Sequence, residues 1–326
     1  MWGLFKFQAL REPPAAGSWW LGVFLLFNTH YFCPMNRFLP FLLLLLLSGC
    51  EKTINVQPEP QAPKLVVEAQ IENGQPPAVV LSNSLNYFSE LDAAALTASY
   101  VHNAKVTIND GNKTYQLREY VVTVNNNKYY YYSTLQSSPA NSLFGTEGFT
   151  YTLTIEADGQ TYSATTTIPK LTKKIDSLWW KPAPFQADSN KVVLMARVTD
   201  PPGFGNYIRY FTRVNQDDFY PGYNSVFDDQ ITDGKTYDVQ IDQGVSKNNK
   251  MKRDEYAYFH RGDTVTMKQC NIDKASFDFW RTWEFSYQSV GNPFSSPGKV
   301  LSNISNGGLG VFWGYAAQYK NLIIPK

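Results

Sequence analysis

Seven aspartates, Asp217, Asp218, Asp228, Asp229, Asp233, Asp238 and Asp242, crowd the span from Gln216 to Gly244. Calcium takes about six to eight oxygen ligands, and Asp228-Asp229-x-x-x-Asp233-Gly234 would open a loop able to supply some of them. The alternate-position ligands and closing glutamate of an EF-hand are missing, so a solvated acidic loop is the competing reading. Calcium is the one cofactor this pattern admits. Aromatic residues offer a second chemistry. Tyr129, Tyr130, Tyr131 and Tyr132 are consecutive, and in a strand alternate members face opposite sides, so two would face solvent or a partner. Phe219, Tyr220, Tyr223 and Phe227 line the acidic span. Aromatic rings beside polar groups suit carbohydrate or protein contacts. A sandwich core with ordinary surface tyrosines accounts for the same pattern. Catalysis has weaker support. After residue 50 the histidines are His102 and His260, and H-E-x-x-H, G-x-S-x-G and C-x-x-C are all absent. A carboxylate pair for glycoside cleavage would meet only in the fold. No catalytic residue is assigned, and the chain is expected to be a non-enzymatic binding or scaffolding protein.

Cys50 is the residue with the clearest chemical role. Asn36 and Arg37 lead into an apolar run from Phe38 to Leu47, interrupted by Pro40 and followed by Ser48, Gly49 and Cys50. Such a run is too short to span a bilayer and suits a signal-peptide core. Leu47-Ser48-Gly49-Cys50 resembles a bacterial lipobox, which implies cleavage before Cys50 and a membrane partner reached through lipid on its thiol. Residues 35–49 are then a signal peptide, and residues 50–63 a lipidated cysteine with a flexible tether holding Pro58, Pro60 and Pro63. Residues 1–34 fit as a mis-called extension, with translation starting at Met35. Glu51-Lys52 lacks an Asp-Asp retention pattern, which favours the outer membrane without choosing its face.

Lys6, Arg11, Arg37 and Glu12 precede Cys50, so 26 basic side chains face 27 acidic ones in the remainder. That balance leaves no electrostatic footprint for nucleic acid. With Cys50 lipidated, Cys270 stands alone and no intramolecular disulfide forms, so packing must hold the core. Cys270 sits in a strand-like run and reads as a buried small hydrophobe. Arg261-Gly262-Asp263 reads as a turn before a strand. Asp176-Ser177-Leu178 and Asp263-Thr264-Val265 resemble an O-glycosylation acceptor pattern, with ordinary strand starts as the alternative. Gly307-Gly308-Leu309-Gly310 lacks the Lys-Ser/Thr of a P-loop and reads as a turn.

The elements that must position these residues are strands. Abundant Tyr, Phe and Thr, with helix spacing rare, favour a mostly β build. Residues 64–169 carry about seven short strands with turns at Asn73-Gly74, Asn109-Asp110-Gly111 and Asp158-Gly159, the expected signature of an immunoglobulin-like β-sandwich. A short helix fits around Asp92 to Leu96. After a boundary at Pro169 to Lys174, residues 175–326 form a second β-rich domain with one helix from Asp273, a plausible N-cap, to Phe285. The span Gln216 to Gly244 reads as loop. Leu309 to Tyr315 and Asn321 to Ile324 read as two closing strands.

Several short motifs in order resemble one family. They are Leu65-Val66-Val67-Glu68 with Ile71-Glu72-Asn73-Gly74, Tyr151 to Ile155, Ile168-Pro169, and Asp200-Pro201-Pro202-Gly203 with Asn206-Tyr207. Phe227-Asp228-Asp229-Gln230, Arg261 to Val265, and Asn303 to Gly307 with Leu309 to Phe312 complete the set. Together they resemble the Bacteroidetes envelope lipoproteins grouped as domain of unknown function 4249. The resemblance implies an envelope lipoprotein, often encoded beside a TonB-dependent outer-membrane receptor, which is the protein partner it suggests. It carries no catalytic or binding residues. A glycan hydrolase and a surface adhesin are the alternatives.

Overall fold

Leu65 to Glu72 alternates between buried and less buried residues along its length, as a strand with one face on a core must. A computed structural model describes residues 62–85, 92–124, 127–134, 142–184, 188–246, 255–292, 294–295 and 298–326. Cys50, the signal-like stretch and most of the expected tether lie outside these residues. Strand β1 (Leu65–Glu72) is followed by β2 (Ala78–Asn83), helix α1 (Ala93–Ser99), β3 (Lys105–Asn109), β4 (Thr114–Gln116), β5 (Arg118–Val124) and β6 (Asn127–Ser133). Next come β7 (Thr150–Ala157), β8 (Gln160–Thr167), β9 (Lys174–Pro182), β10 (Lys191–Thr199), β11 (Tyr207–Val214), β12 (Tyr220–Phe227) and β13 (Thr236–Ile241). The chain closes with β14 (Phe259–His260), β15 (Thr264–Ile272), helix α2 (Lys274–Ser289) and β16 (Leu309–Ile323).

The protein is mostly β and sandwich-like, with one helix in its C-terminal part. An eight-stranded sheet runs β12-β11-β15-β16-β1-β2-β6-β5, and its two halves are joined through β16. Residues 309–315 of β16 pair parallel with β1, and residues 316–323 pair antiparallel with β15. The first half-sheet packs over the sheet β4-β3-β7-β8 around Val67, Ile71, Val106, Leu153 and Phe312. The second half-sheet packs over β9, β10, β13 and β14 around Val192, Leu194, Val265 and Met267. Helix α2 covers the other face of the large sheet, where Phe277 and Trp280 meet Cys270, Val311 and Trp313. Because side chains alternate along a strand, β16 sends Phe312 and Ala316 into one core and Val311, Trp313 and Tyr315 into another. The stretch Pro169 to Lys174 therefore separates strands in sequence, while β1 and β16 share one sheet across it.

Three elements differ from the sequence reading. Leu309 to Ile323 is a single strand where two closing strands were expected. Two strands, β12 and β13, occupy the span taken as loop from Gln216 to Gly244; Pro221-Gly222 reads as a turn inside β12, and the alternation of β13 is short and set among aspartates. Helix α1 forms where a short helix was expected, capped by Asp92 accepting from Ala95 N at 2.7 Å. Helix α2 begins as expected, with Asp273 accepting from Ser276 N at 2.8 Å.

Where β16 changes partners, one edge of each half would be left with bare backbone groups. Side-chain amides fill those places. Phe312 N donates to Asn303 Oδ1 at 2.9 Å, and Asn303 Nδ2 donates to Phe312 O at 2.7 Å. Ala317 N donates to Asn73 Oδ1 at 2.7 Å, and Asn73 Nδ2 reaches Ala317 O at 3.4 Å. Each amide thus supplies the donor and acceptor that a neighbouring strand would have given. Gly310 lies at φ +94°, and a Cβ there would sit 2.0 Å from Val67 O, so the β1–β16 approach admits no side chain.

The other face of the junction carries an ion pair. Lys268 Nζ on β15 pairs with Glu72 Oε2 on β1, and Tyr319 Oη on β16 donates to Glu72 Oε1 at 2.5 Å. Burial alone would lower the lysine pKa; Cys270, Glu72 and Tyr319 outweigh it and raise it. The rings of Phe211, Tyr315 and Tyr319 stand 5.6–5.7 Å from the ammonium.

Two outcomes are expected from urea unfolding. Asn303→Ala should cost about 1–3 kcal/mol with an unchanged m-value, because both polar groups of Phe312 lose their partner. Lys268→Met should cost about 3 kcal/mol, and adding Glu72→Gln should restore most of it, since the main penalty is a stranded carboxylate.

Candidate functional site

Ile208 on β11 stands opposite Phe227 on β12, so the loop entering β11 and the turn leaving β12 meet at one end of the large sheet. The entering loop, Asp200-Pro201-Pro202-Gly203-Phe204-Gly205-Asn206, needs φ near +110° at Gly203 and Gly205. Beneath it, Lys173 and Asp200 are fully buried and paired at 2.7 Å, and Thr232 Oγ1 donates to Asp200 Oδ2 at 2.8 Å. Lys173 O accepts from Gln269 Nε2 at 3.0 Å and from Gln318 Nε2 at 2.9 Å, which ties the pair to β15 and β16.

The leaving turn is fastened to the entering loop. Asp229 Oδ2 accepts from Asn206 N at 2.8 Å and Asn206 Nδ2 at 3.2 Å, and Asp233 Oδ1 accepts from Gly203 N at 2.6 Å. Burial alone would raise the Asp229 pKa; hydrogen bonds from Asn206 and Gly205 outweigh it and hold the carboxyl below the usual carboxylate range. Asp228 differs from both neighbours. It is half-buried and accepts from Gln230 N at 3.4 Å.

Between loop and turn lies a concavity of ≈ 350 Å³ lined by Phe204, Gly205, Tyr207, Asp228, Asp229 and Gln230. Tyr207 is fixed by stacking on Phe277 of helix α2 at 4.7 Å. Phe204, 76% exposed, sets an apolar ring beside the polar groups of Asp228, Asp229 and Gln230. Of the calcium candidates, Asp228 and Asp229 line this concavity and Asp233 holds the loop behind it. Among the described residues no group of three or more His, Cys, Asp or Glu could hold a metal ion.

The aromatic candidates range from buried to half-buried. Tyr132 is buried, donating to Val101 O at 2.9 Å and accepting from Ala104 N at 3.1 Å. Tyr131 is buried and stacks on Tyr120 at 5.7 Å. Tyr130 meets Tyr100 at 5.3 Å and the edge of His102 at 4.5 Å, and Tyr129 is half-buried. Of the four, Tyr131 and Tyr132 are thus buried, whereas Tyr129 and Tyr130 keep part of their surface exposed. Phe219 lies under the Arg213 guanidinium at 4.7 Å, Tyr223 meets Tyr256 at 5.9 Å, and Tyr220 is half-buried. Sequence reasoning missed Phe204. Its signal was a large apolar residue between two glycines in a Pro-Pro turn, with no strand to bury it.

A second concavity of ≈ 530 Å³ is polar, lined by His102, Asn103, Lys105, Glu156, Asp158 and Gln160 among others. Lys105 and Glu156 pair across it at 2.7 Å, and His102 Nδ1 lies 2.5 Å from Glu119 Oε1 nearby. Its charges are largely matched from within.

Glu68 is partly buried on the outer face of β1, and burial raises its pKa to about 8. The folded chain then holds a proton that the unfolded chain releases near 4.5, so stability falls as pH rises from there to about 8. Glu68→Gln should remove this slope. Melting temperatures of both proteins at pH 5 to 9 should show the variant's relative advantage growing with pH and levelling above 8.

The family model described as domain of unknown function (DUF4249) matches residues 51–321, and the chain belongs to that family. No curated protein matches the chain.

Proposed function

We propose that this family member is a non-enzymatic lipoprotein of the Bacteroidetes cell envelope, anchored through Cys50 in the outer membrane and binding or scaffolding a partner there. A TonB-dependent outer-membrane transporter is the partner proposed. The observation that carries the binding reading is the concavity at Phe204 and Asp228, pinned from behind and presenting an exposed phenyl ring beside a carboxylate. An aromatic ring next to a polar group suits protein contacts, and a loop already fastened limits the entropy lost on docking. The lipobox-like Leu47-Ser48-Gly49-Cys50 and the proline-bearing segment after it support an anchor with reach. No helix among the described residues is long and apolar enough to cross a membrane.

The hydrolase alternative needs a carboxyl kept protonated in a cleft to act as an acid. At this concavity Asp229 is held ionised and its oxygens are engaged, which disfavours that pair as acid and base.

Cys50→Ser should abolish incorporation of labelled palmitate and release the protein from the membrane fraction. Affinity purification of the lipidated protein in mild detergent should bring down a β-barrel transporter in stable proportion. Recovery of the wild-type protein alone, repeatedly, refutes the complex.

A further inference from the structure

Asp228 is the unspent carboxylate of the concavity. Asp229 is occupied by Asn206, Asp233 by Gly203, and Asp200 by Lys173 and Thr232, whereas among the described residues Asp228 makes one long contact, with Gln230 N. Nearby cations are committed elsewhere: Lys173 is buried with Asp200, and Lys235 Nζ donates to Ile231 O at 2.9 Å. The wall beside Asp228 is an exposed phenyl ring, Phe204, held by a loop fastened at both ends.

We infer that this concavity receives an arginine guanidinium presented by a partner protein, with Asp228 taking its N–H groups and the Phe204 ring lying against its plane. This deepens the partner-binding reading above and rests on it. A guanidinium is flat, gives parallel N–H bonds to a carboxylate, and stacks on aromatic faces, so it uses both walls at once. An ammonium matches the charge and leaves the ring face unused. Calcium is a poorer occupant, because Asp229 and Asp233 already accept backbone N–H bonds and few oxygens remain of the six or more it takes, about six to eight. The volume suits one side chain, at the lower end of small-ligand sites. Tyr207, fixed against Phe277, gives the concavity a second aromatic wall.

The test uses the full lipidated chain in mild detergent and saturation-transfer NMR with N-acetyl-arginine amide, its uncharged citrulline counterpart and its lysine counterpart. Arginine amide should bind, with citrulline amide and the Asp228→Asn variant each about tenfold weaker. Phe204→Ala should weaken arginine more than lysine. Asp228 and Phe204 carry no structural bond of note, so both variants should melt as the parent does. Equal binding of arginine and citrulline amides, absence of arginine binding, or an unchanged Asp228→Asn overturns the inference. So does abolition of the arginine signal by calcium chloride alone, which would mark a metal site. The assay contains no partner. Arginine binding without a co-purifying transporter therefore fails the transporter reading alone, whereas a transporter retained fully by Asp228→Asn fails this inference alone.

Discussion

The parallel pairing of β1 with the first half of β16 is the contact on which the remaining architecture depends. It joins residues near the two ends of the described fold, and the second half of β16 then commits to β15. One strand thereby contributes to the two sandwiches and to the layer under helix α2. A parallel pair needs a long connection, and here that connection is nearly the whole fold. The Glu72–Lys268 pair lies at the handover and links the strand that ends there to the strand that takes its place.

A strand that changes partners exposes backbone groups to a partly buried setting, and the solution is chemical rather than topological. Asn73 and Asn303 each present an amide to one residue of β16, while Gln269 and Gln318 converge on Lys173 O. These residues explain much of what the family motifs are made of. Asn73, Asp200, Asn206, Asp229 and Asn303 all stand in the stretches that carry the resemblance, and all serve as clamps. Phe204 and Asp228, which carry the binding proposal, stand in or beside the same stretches because the clamps hold them up.

How much of this was legible varied with the physical signal. Strands with a clean alternation, such as Leu65–Glu72 and Thr161–Thr167, announce themselves because burial follows a period of two. Helix α2 is legible from Asp273 and the spacing of Phe277, Trp280 and Glu284. Strands β12 and β13 were not, since Pro221-Gly222 imitates a turn inside β12 and the brief alternation of β13 sits among aspartates. The continuity of β16 was hidden by Ala316-Ala317-Gln318, small and polar residues that resemble a break until Asn73 and the start of β9 supply their partners. At the site, the acidic cluster was visible in the sequence. Which aspartate is free was not, because that depends on where Asn206 and Gly203 direct their N–H groups. Within the tyrosine run, likewise, only the fold says that Tyr131 and Tyr132 are the buried pair.

The placement of β16 has a consequence for how the chain comes into being. Both sandwiches wait for β16, which follows every other strand of the described fold, so neither half completes its sheet before β16 is made. Contacts of such long sequence separation make for slow folding. A chain broken off before Leu309 would keep most of its apolar side chains, yet each half of the large sheet would present a bare edge to its neighbours, the condition that favours aggregation. Closure of the large sheet is thus decided by whether β16 is present.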